Sequence, residues 1–211
     1  LDFSTAISDG TRFRVNAHFQ RGTPALAFRA IPGRVPELSS LNLPEVVTEF
    51  ADMEQGLVLV TGETGSGKST TLASMVDYIN HKRQAHVITL EDPIEYFLVS
   101  DRCVIEQRAV GADVKDFASG LRHVLRQDPD VILIGEMRDL ETISTALTAA
   151  ETGHLVLSTL HTNDSASTVE RIIDTFPAEQ QNQVRSMLAN TLKGVICQRL
   201  FPRIDEAGMV P

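Results

Sequence analysis

The chain has 211 residues, 42% of them hydrophobic, a formal net charge of −9 and two cysteines, Cys103 and Cys197. That is enough apolar material for one large domain or a domain plus a fragment, yet no apolar run approaches the ~20 residues that span a bilayer. The cysteines are too few and too far apart for a Cys-x-x-Cys metal site or a disulfide framework, and the acidic balance excludes a general attraction to nucleic acid or anionic lipid, although a local basic patch could still bind either.

The chain starts at Leu1 with no basic segment leading into an apolar one. No secretory signal is therefore expected, and the chain reads as a portion of a longer protein. Residues 1–31 read as strands. Phe13, Val15, Ala17 and Phe19 alternate with polar neighbours at period two, Arg21 to Pro24 form a turn, and Ala25 to Ile31 make a second strand. A lone hairpin is not stable, so this segment is expected to be the tail of a small β-rich domain. Arg12, Arg14, Arg21 and Arg29 make either a solvated strand face or a rim that supplies charge to a phosphate.

Pro32, Gly33, Pro36, Ser39, Ser40 and Pro44 mark a linker, with a short helix over 44–52 after it. The run Gly56 to Val60 is a buried strand. It leads into Gly62-Glu63-Thr64-Gly65-Ser66-Gly67-Lys68-Ser69, which fits the P-loop pattern G-x-x-x-x-G-K-[ST]. Leu72, Met75, Val76 and Ile79 follow at helical spacing. Strand before and helix after are the context this pattern needs. Glycines let successive N–H groups turn inward around phosphate oxygens, and the helix adds its positive end. Thr64, Gly65, Ser66, Gly67, Lys68, Ser69 and Thr70 are the candidate nucleotide contacts, with Lys68 on the β- and γ-phosphates and the Ser69 hydroxyl on Mg²⁺.

Strands and helices then alternate. Ala85 to Leu90 is a strand ending in the acidic turn Glu91-Asp92-Pro93-Ile94-Glu95, and Cys103 to Ile105 is a short strand. Phe117, Leu121, Val124 and Leu125 mark a helix. Val131 to Ile134 is a buried strand ending in Gly135-Glu136. Asp139 caps a helix stopped by Gly153; His154 to Leu160 is a strand with His161 just past its end; Asp164 caps the next helix. Pro177 opens a longer amphipathic helix through Val184, Leu188, Leu192 and Val195. Alternating elements with continuous apolar strands predict an α/β fold, a parallel sheet with helices on both faces. Ligands on such sheets bind beyond the carboxyl ends of the strands, where the P-loop, Glu91, Glu95, Glu136 and His161 all fall.

Phosphoryl transfer to water needs a cradle, a metal, a water-orienting carboxylate and a γ-phosphate contact. Glu136 ends a Walker B-like strand and is read as holding Mg²⁺ through water or orienting the attacking water. Glu95 and Glu91 are the candidates for the general base, with Glu136 as the competitor, and Asp92 has either a capping or turn role or a catalytic one. His161, beside Thr159, Thr162 and Asn163, is read as a donor to the γ-phosphate.

Residues 62–71, 88–95, 121–139, 147–161 and 171–174 closely resemble the type IV pilus retraction ATPases, twitching-motility motors of the secretion-ATPase superfamily. The family's boxes match at 62–69 (Walker A), 88–95 (Asp box), 131–136 (Walker B) and 153–162 (His box). The resemblance implies a RecA-like P-loop ATPase domain preceded by the remnant of a small PAS-like α+β domain, with boundaries at 1–35, 36–55 and 56–211. It implies an ATP- and Mg²⁺-dependent homo-hexamer in the cytoplasm, peripheral to the inner membrane and not inserted, acting on a pilus platform protein and not on nucleic acid. Arg12 and Arg14 match the arginines that approach the nucleotide from the amino-terminal domain; Arg29 and Arg126 are weaker matches. The chain departs from the family in lacking the start of that domain and the carboxyl-terminal helices. It carries Glu63 where the family commonly has proline. The Cys-x-x-Cys pairs of many extension and type II secretion ATPases do not occur in it. A pilus-extension or type II secretion ATPase, a nucleotide-binding switch with little turnover, and a RecA-like motor on nucleic acid remain the competing readings.

Overall fold

The structure, a computed structural model, describes residues 1–8, 11–31, 33–204 and 208–211. Among them, β1 (Asp2–Ala6), β2 (Arg12–Gln20) and β3 (Thr23–Ile31) form an antiparallel meander. Period two sorts its side chains: Phe13, Val15 and Phe28 share one face, while Arg12, Arg14 and Arg29 lie on the other. The expected hairpin is thus two strands of a three-stranded sheet. The linker that follows is docked on the body of the protein. A 3₁₀ turn over Leu38–Leu41 buries Leu38, and the Ser74 hydroxyl donates to Pro36 O at 2.8 Å. The helix expected at 44–52 is α1 (Val46–Asp52).

The rest of the chain alternates. β4 (Gly56–Thr61) leads through the P-loop into α2 (Lys68–Lys82). β5 (His86–Glu91), β6 (Val104–Ala109), α3 (Phe117–Val124), β7 (Val131–Ile134) and α4 (Leu140–Glu151) follow. Then come β8 (Leu155–Leu160), α5 (Ser165–Asp174), α6 (Gln181–Thr191) and β9 (Leu192–Cys197). A small ribbon of β10 (Phe201–Pro202) and β11 (Met209–Val210), not foreseen from the sequence, closes the described part.

Six described strands form one sheet in the order β6-β5-β7-β8-β4-β9, every pair parallel. Each central strand is buried on both faces, and its residues alternate between two cores. Leu57, Leu59, Ile88, Leu90, Ile132 and Ile134 pack with Leu121, Ile143, Leu147, Ile172 and Leu188 of α3 to α6. Val58, Val60, Val87, Val131 and Leu133 pack with Val47, Leu72, Met75 and Ile79 of α1 and α2. This is the expected α/β layering, and it explains the continuous apolar strands. The Asp139 and Asp164 side chains accept from the N–H groups of Thr142 and Ser167 at 2.8 Å, as read from the sequence; Asp116 caps α3 in the same way at 2.7 Å.

One element differs. The last amphipathic helix was expected to run through Leu192 and Val195, but α6 stops at Thr191 and Leu192–Cys197 is a strand. Leu192 and Val195 do recur at helical spacing. Tertiary pairing overrides it: β4 has a free edge, and β9 fills it in parallel as far as Thr61↔Cys197. Gly194 permits this, because a Cβ there would lie 2.2 Å from the Phe50 ring of α1.

Candidate functional site

β4 ends at buried Thr61, and the chain turns at once through Gly62, whose φ is 140°. Glu63, Thr64 and Gly65 are exposed, while Ser66 and Lys68 are buried. Gly67, at φ 90°, caps the start of α2. Positive φ at both ends lets this loop turn tightly into the N-terminus of α2, where an anion is favoured. The Lys68 ammonium donates to Gly62 O at 2.8 Å and Glu63 O at 2.9 Å. Burial pushes its pKa down, against the charges of Glu136 and Glu95, which pull it up. The Ser66 hydroxyl is buried with no hydrogen-bond partner among the described residues, an orphan polar atom inside the loop. The Ser69 side chain lies in an exposed residue beside it.

Glu136 follows β7 and is held from two sides. Gly135 N donates to Leu90 O at 2.7 Å, and the Thr159 hydroxyl donates to Gly135 O at 2.6 Å. The adjacent Met137 N donates to Thr159 O at 3.3 Å. The Glu136 carboxylate is 17% exposed; it pairs with Arg138 Nη2 at 2.5 Å and lies 3.4 Å from His161 Nε2. Lys68, Glu136, Glu95 and His161 therefore meet at one end of the sheet although 93 positions separate the first from the last. The chain-distant groups named from the sequence are on the same side.

The acidic turn divides its roles. Glu91 Oε1 accepts from the Thr89 hydroxyl at 2.6 Å and from Gln107 Nε2 at 3.1 Å. Burial raises the Glu91 pKa, offset in part by these donors and by the Glu95 N–H. Its oxygens are engaged in holding the 91–98 loop, whereas Glu95 is the acid whose charge reaches Lys68. Gln107 also donates to Tyr96 O at 2.8 Å and accepts from Leu98 N at 2.8 Å, and the Tyr96 and Thr70 hydroxyls are 2.9 Å apart. The loop is thus tied both to β6 and to the first turn of α2.

The arginines divide as well. Arg12 lies over the Phe97 ring, 3.5 Å from its centroid, a cation–π contact. Its Nε is buried without a partner among the described residues. Arg14 and Arg29, paired across β2 and β3, line a cleft of about 120 Å³ together with Pro93, Ile94, Glu95 and Tyr96. The arginine face is directed at the acidic loop and is not a plain solvated face. Arg138, Tyr96, Phe97, Gln107 and Gln198 were missed from the sequence. Each is a single polar or aromatic residue with no assigned role in a motif: Arg138, Tyr96, Phe97 and Gln198 follow strand ends, and Gln107 sits within β6, where nothing local marks it.

A family model described as Type II/IV secretion system protein matches residues 36–209. The chain belongs to this family. It is 52% identical over 203 residues to the type IV pilus retraction ATPase PilT of Pseudomonas aeruginosa, covering 96% of this chain and 59% of that protein. It is 51% identical over 210 residues to a twitching motility protein of Neisseria gonorrhoeae, covering 100% of this chain and 56% of that one. A crystal structure of the pilus retraction motor PilT with bound ADP superposes with a TM-score of 0.96 at 54% identity, covering 100% of this chain and 61% of that one. The chain therefore spans about three fifths of the length of these three proteins, and its α/β architecture is that of this family.

Proposed function

We propose that this chain is the nucleotide-handling part of an ATP-hydrolysing motor that powers type IV pilus retraction. The observation that carries the reading is the meeting of Lys68, Glu136, Glu95 and His161 beside a loop curled for an anion. The P-loop N–H groups and Lys68 bind and orient the phosphates. Glu136, held by Gly135 and Thr159, orients water for attack on the γ-phosphate in line with the departing ADP and takes up its proton, with Glu95 as the alternative base. His161 donates to the γ-phosphate, and its contact with Glu136 links γ-phosphate recognition to the attacking water. Arg14, in the cleft with Glu95, brings charge from the amino-terminal sheet, and Arg12 braces that sheet on the acidic loop.

The donor set suits Mg²⁺. Among the described residues no cluster of three or more His, Cys, Asp or Glu side chains could hold a metal ion. The Ser69 hydroxyl and Glu136, through water, would hold Mg²⁺ with the phosphates themselves, its usual mode. When bound, the ion neutralises charge that develops on the phosphates. We read residues 1–35 as the end of a PAS-like domain, 36–55 as a connection and 56–211 as the RecA-like ATPase domain. The working state is a cytoplasmic homo-hexamer on a platform protein of the inner membrane. No described helix is long and apolar enough to cross a membrane.

The test is Mg²⁺-dependent phosphate release by the full-length protein. Background release with intact ATP binding would leave only a nucleotide-binding switch. In the host cell, loss of the gene should stop pilus shortening while assembly continues. Loss of assembly would make it an extension motor instead.

A further inference from the structure

Gln198 is the first residue past the end of β9, and the P-loop pattern gives it no role. Its backbone N–H donates to Thr61 O at 2.8 Å, one step beyond the last paired residues of β4 and β9. That seats it against Gly62, where a Cβ would stand 2.2 Å from the Gln198 carbonyl oxygen. Its side chain reaches the other end of the loop. A Cβ on Gly67 would lie 2.9 Å from Gln198 Nε2. Gln198 Oε1 accepts from the Thr71 hydroxyl, in the first turn of α2, at 2.8 Å. Gln198 is 7% exposed and Thr71 0%, so water does not compete for this bond. One residue of an edge strand therefore touches both ends of the P-loop and the helix that follows it.

A loop whose ends are glycines is soft, and a cradle binds best when its donors are held in place beforehand. We propose that Gln198 is a positioning residue that braces the P-loop for the phosphates of a nucleotide. Its backbone holds the Gly62 end, and its carboxamide ties the Gly67 end to Thr71. The inference rests on the nucleotide reading above and extends the site to a strand outside every motif.

The test titrates ADP into the full-length protein and its variants, with thermal unfolding of each. One neutral hydrogen bond is worth about 1 kcal/mol, so Gln198→Met and Thr71→Val should each weaken ADP binding about fivefold. Groups acting as one unit are not additive. The double variant should accordingly bind no worse than Gln198→Met alone, and Thr71→Ser, which keeps the hydroxyl, should bind like wild type. If Gln198→Met does not fold, the Thr71→Val and Thr71→Ser pair decides the matter. Affinities within twofold of wild type for Thr71→Val and any folded Gln198→Met, or losses that multiply in the double variant, overturn the proposal. So does a lowered melting temperature with unchanged affinity. Wild-type protein that binds no ADP at all refutes the nucleotide reading itself, a separate result.

Discussion

Replacing Lys68 with alanine tests the site most directly. The ammonium is 7% exposed and donates to Gly62 O and Glu63 O, with Glu136 and Glu95 acting on it electrostatically. Removing it has opposite consequences for the fold and for the ligand. The two loop carbonyls lose a donor; Glu63 is exposed and water can replace it there, whereas the buried Gly62 carbonyl goes without. Burial already disfavours the charged lysine, which offsets part of that loss, so the net cost to stability should be about 1 kcal/mol, the scale of one hydrogen bond. A phosphate has no such substitute. A hydrogen bond to a charged group is worth about 1.5–3 kcal/mol, and each 1.4 kcal/mol is tenfold in affinity. Loss of the cation also leaves Glu136 and Glu95 facing the phosphates uncompensated. Lys68→Ala should therefore raise the dissociation constant for ADP between about 10-fold and 150-fold in calorimetric titration of the full-length protein. Its melting temperature should stay near that of wild type. An affinity within threefold of wild type would show that Lys68 does not face the ligand, and the P-loop assignment would fall with it.

Glu136→Gln should leave ATP affinity nearly unchanged and lower phosphate release at least about 100-fold, the usual scale for a lost general base; near-normal turnover would move that role to Glu95. Leu121→Ala, fully buried against the sheet, should cost about 2–5 kcal/mol of stability by denaturant unfolding, and a loss under 1 kcal/mol would contradict the packing described. Burial raises the Glu91 pKa, so the stabilising contribution of its protonated form is complete below the ordinary carboxylate range and is lost as pH rises through the raised value. The melting temperature of Glu91→Gln should therefore gain on wild type as pH rises from 4 to 7, and a gap that narrows instead would refute the burial argument. In the proposed hexamer, a site completed by a neighbouring subunit should make specific activity fall on dilution; a flat value through disassembly would count against a shared site.

Much of this site was legible in the chain because its parts stand at strand ends. The P-loop pattern, the apolar runs before Glu91, Glu136 and His161, and the caps Asp139 and Asp164 are local signals, set by backbone geometry and burial near in sequence. Their order also forces a parallel sheet, and a parallel sheet brings its carboxyl ends together. What the sequence could not decide was anything that depends on an edge or a partner surface. The stretch 192–197 carries helical spacing, and only the free side of β4, with Gly194 admitting Phe50, makes it a strand. Gln198 and Gln107 look like ordinary polar residues until those strands seat them against the P-loop and the acidic turn. Likewise, the amino-terminal arginines read either as a solvated face or as a rim for a phosphate until the fold lays Arg12 on Phe97 and Arg14 and Arg29 beside Glu95. Local chemistry repeats along a chain and can be read there, whereas contacts between distant segments are chosen by the competition among all surfaces left to bury, which exists only once the sheet has formed.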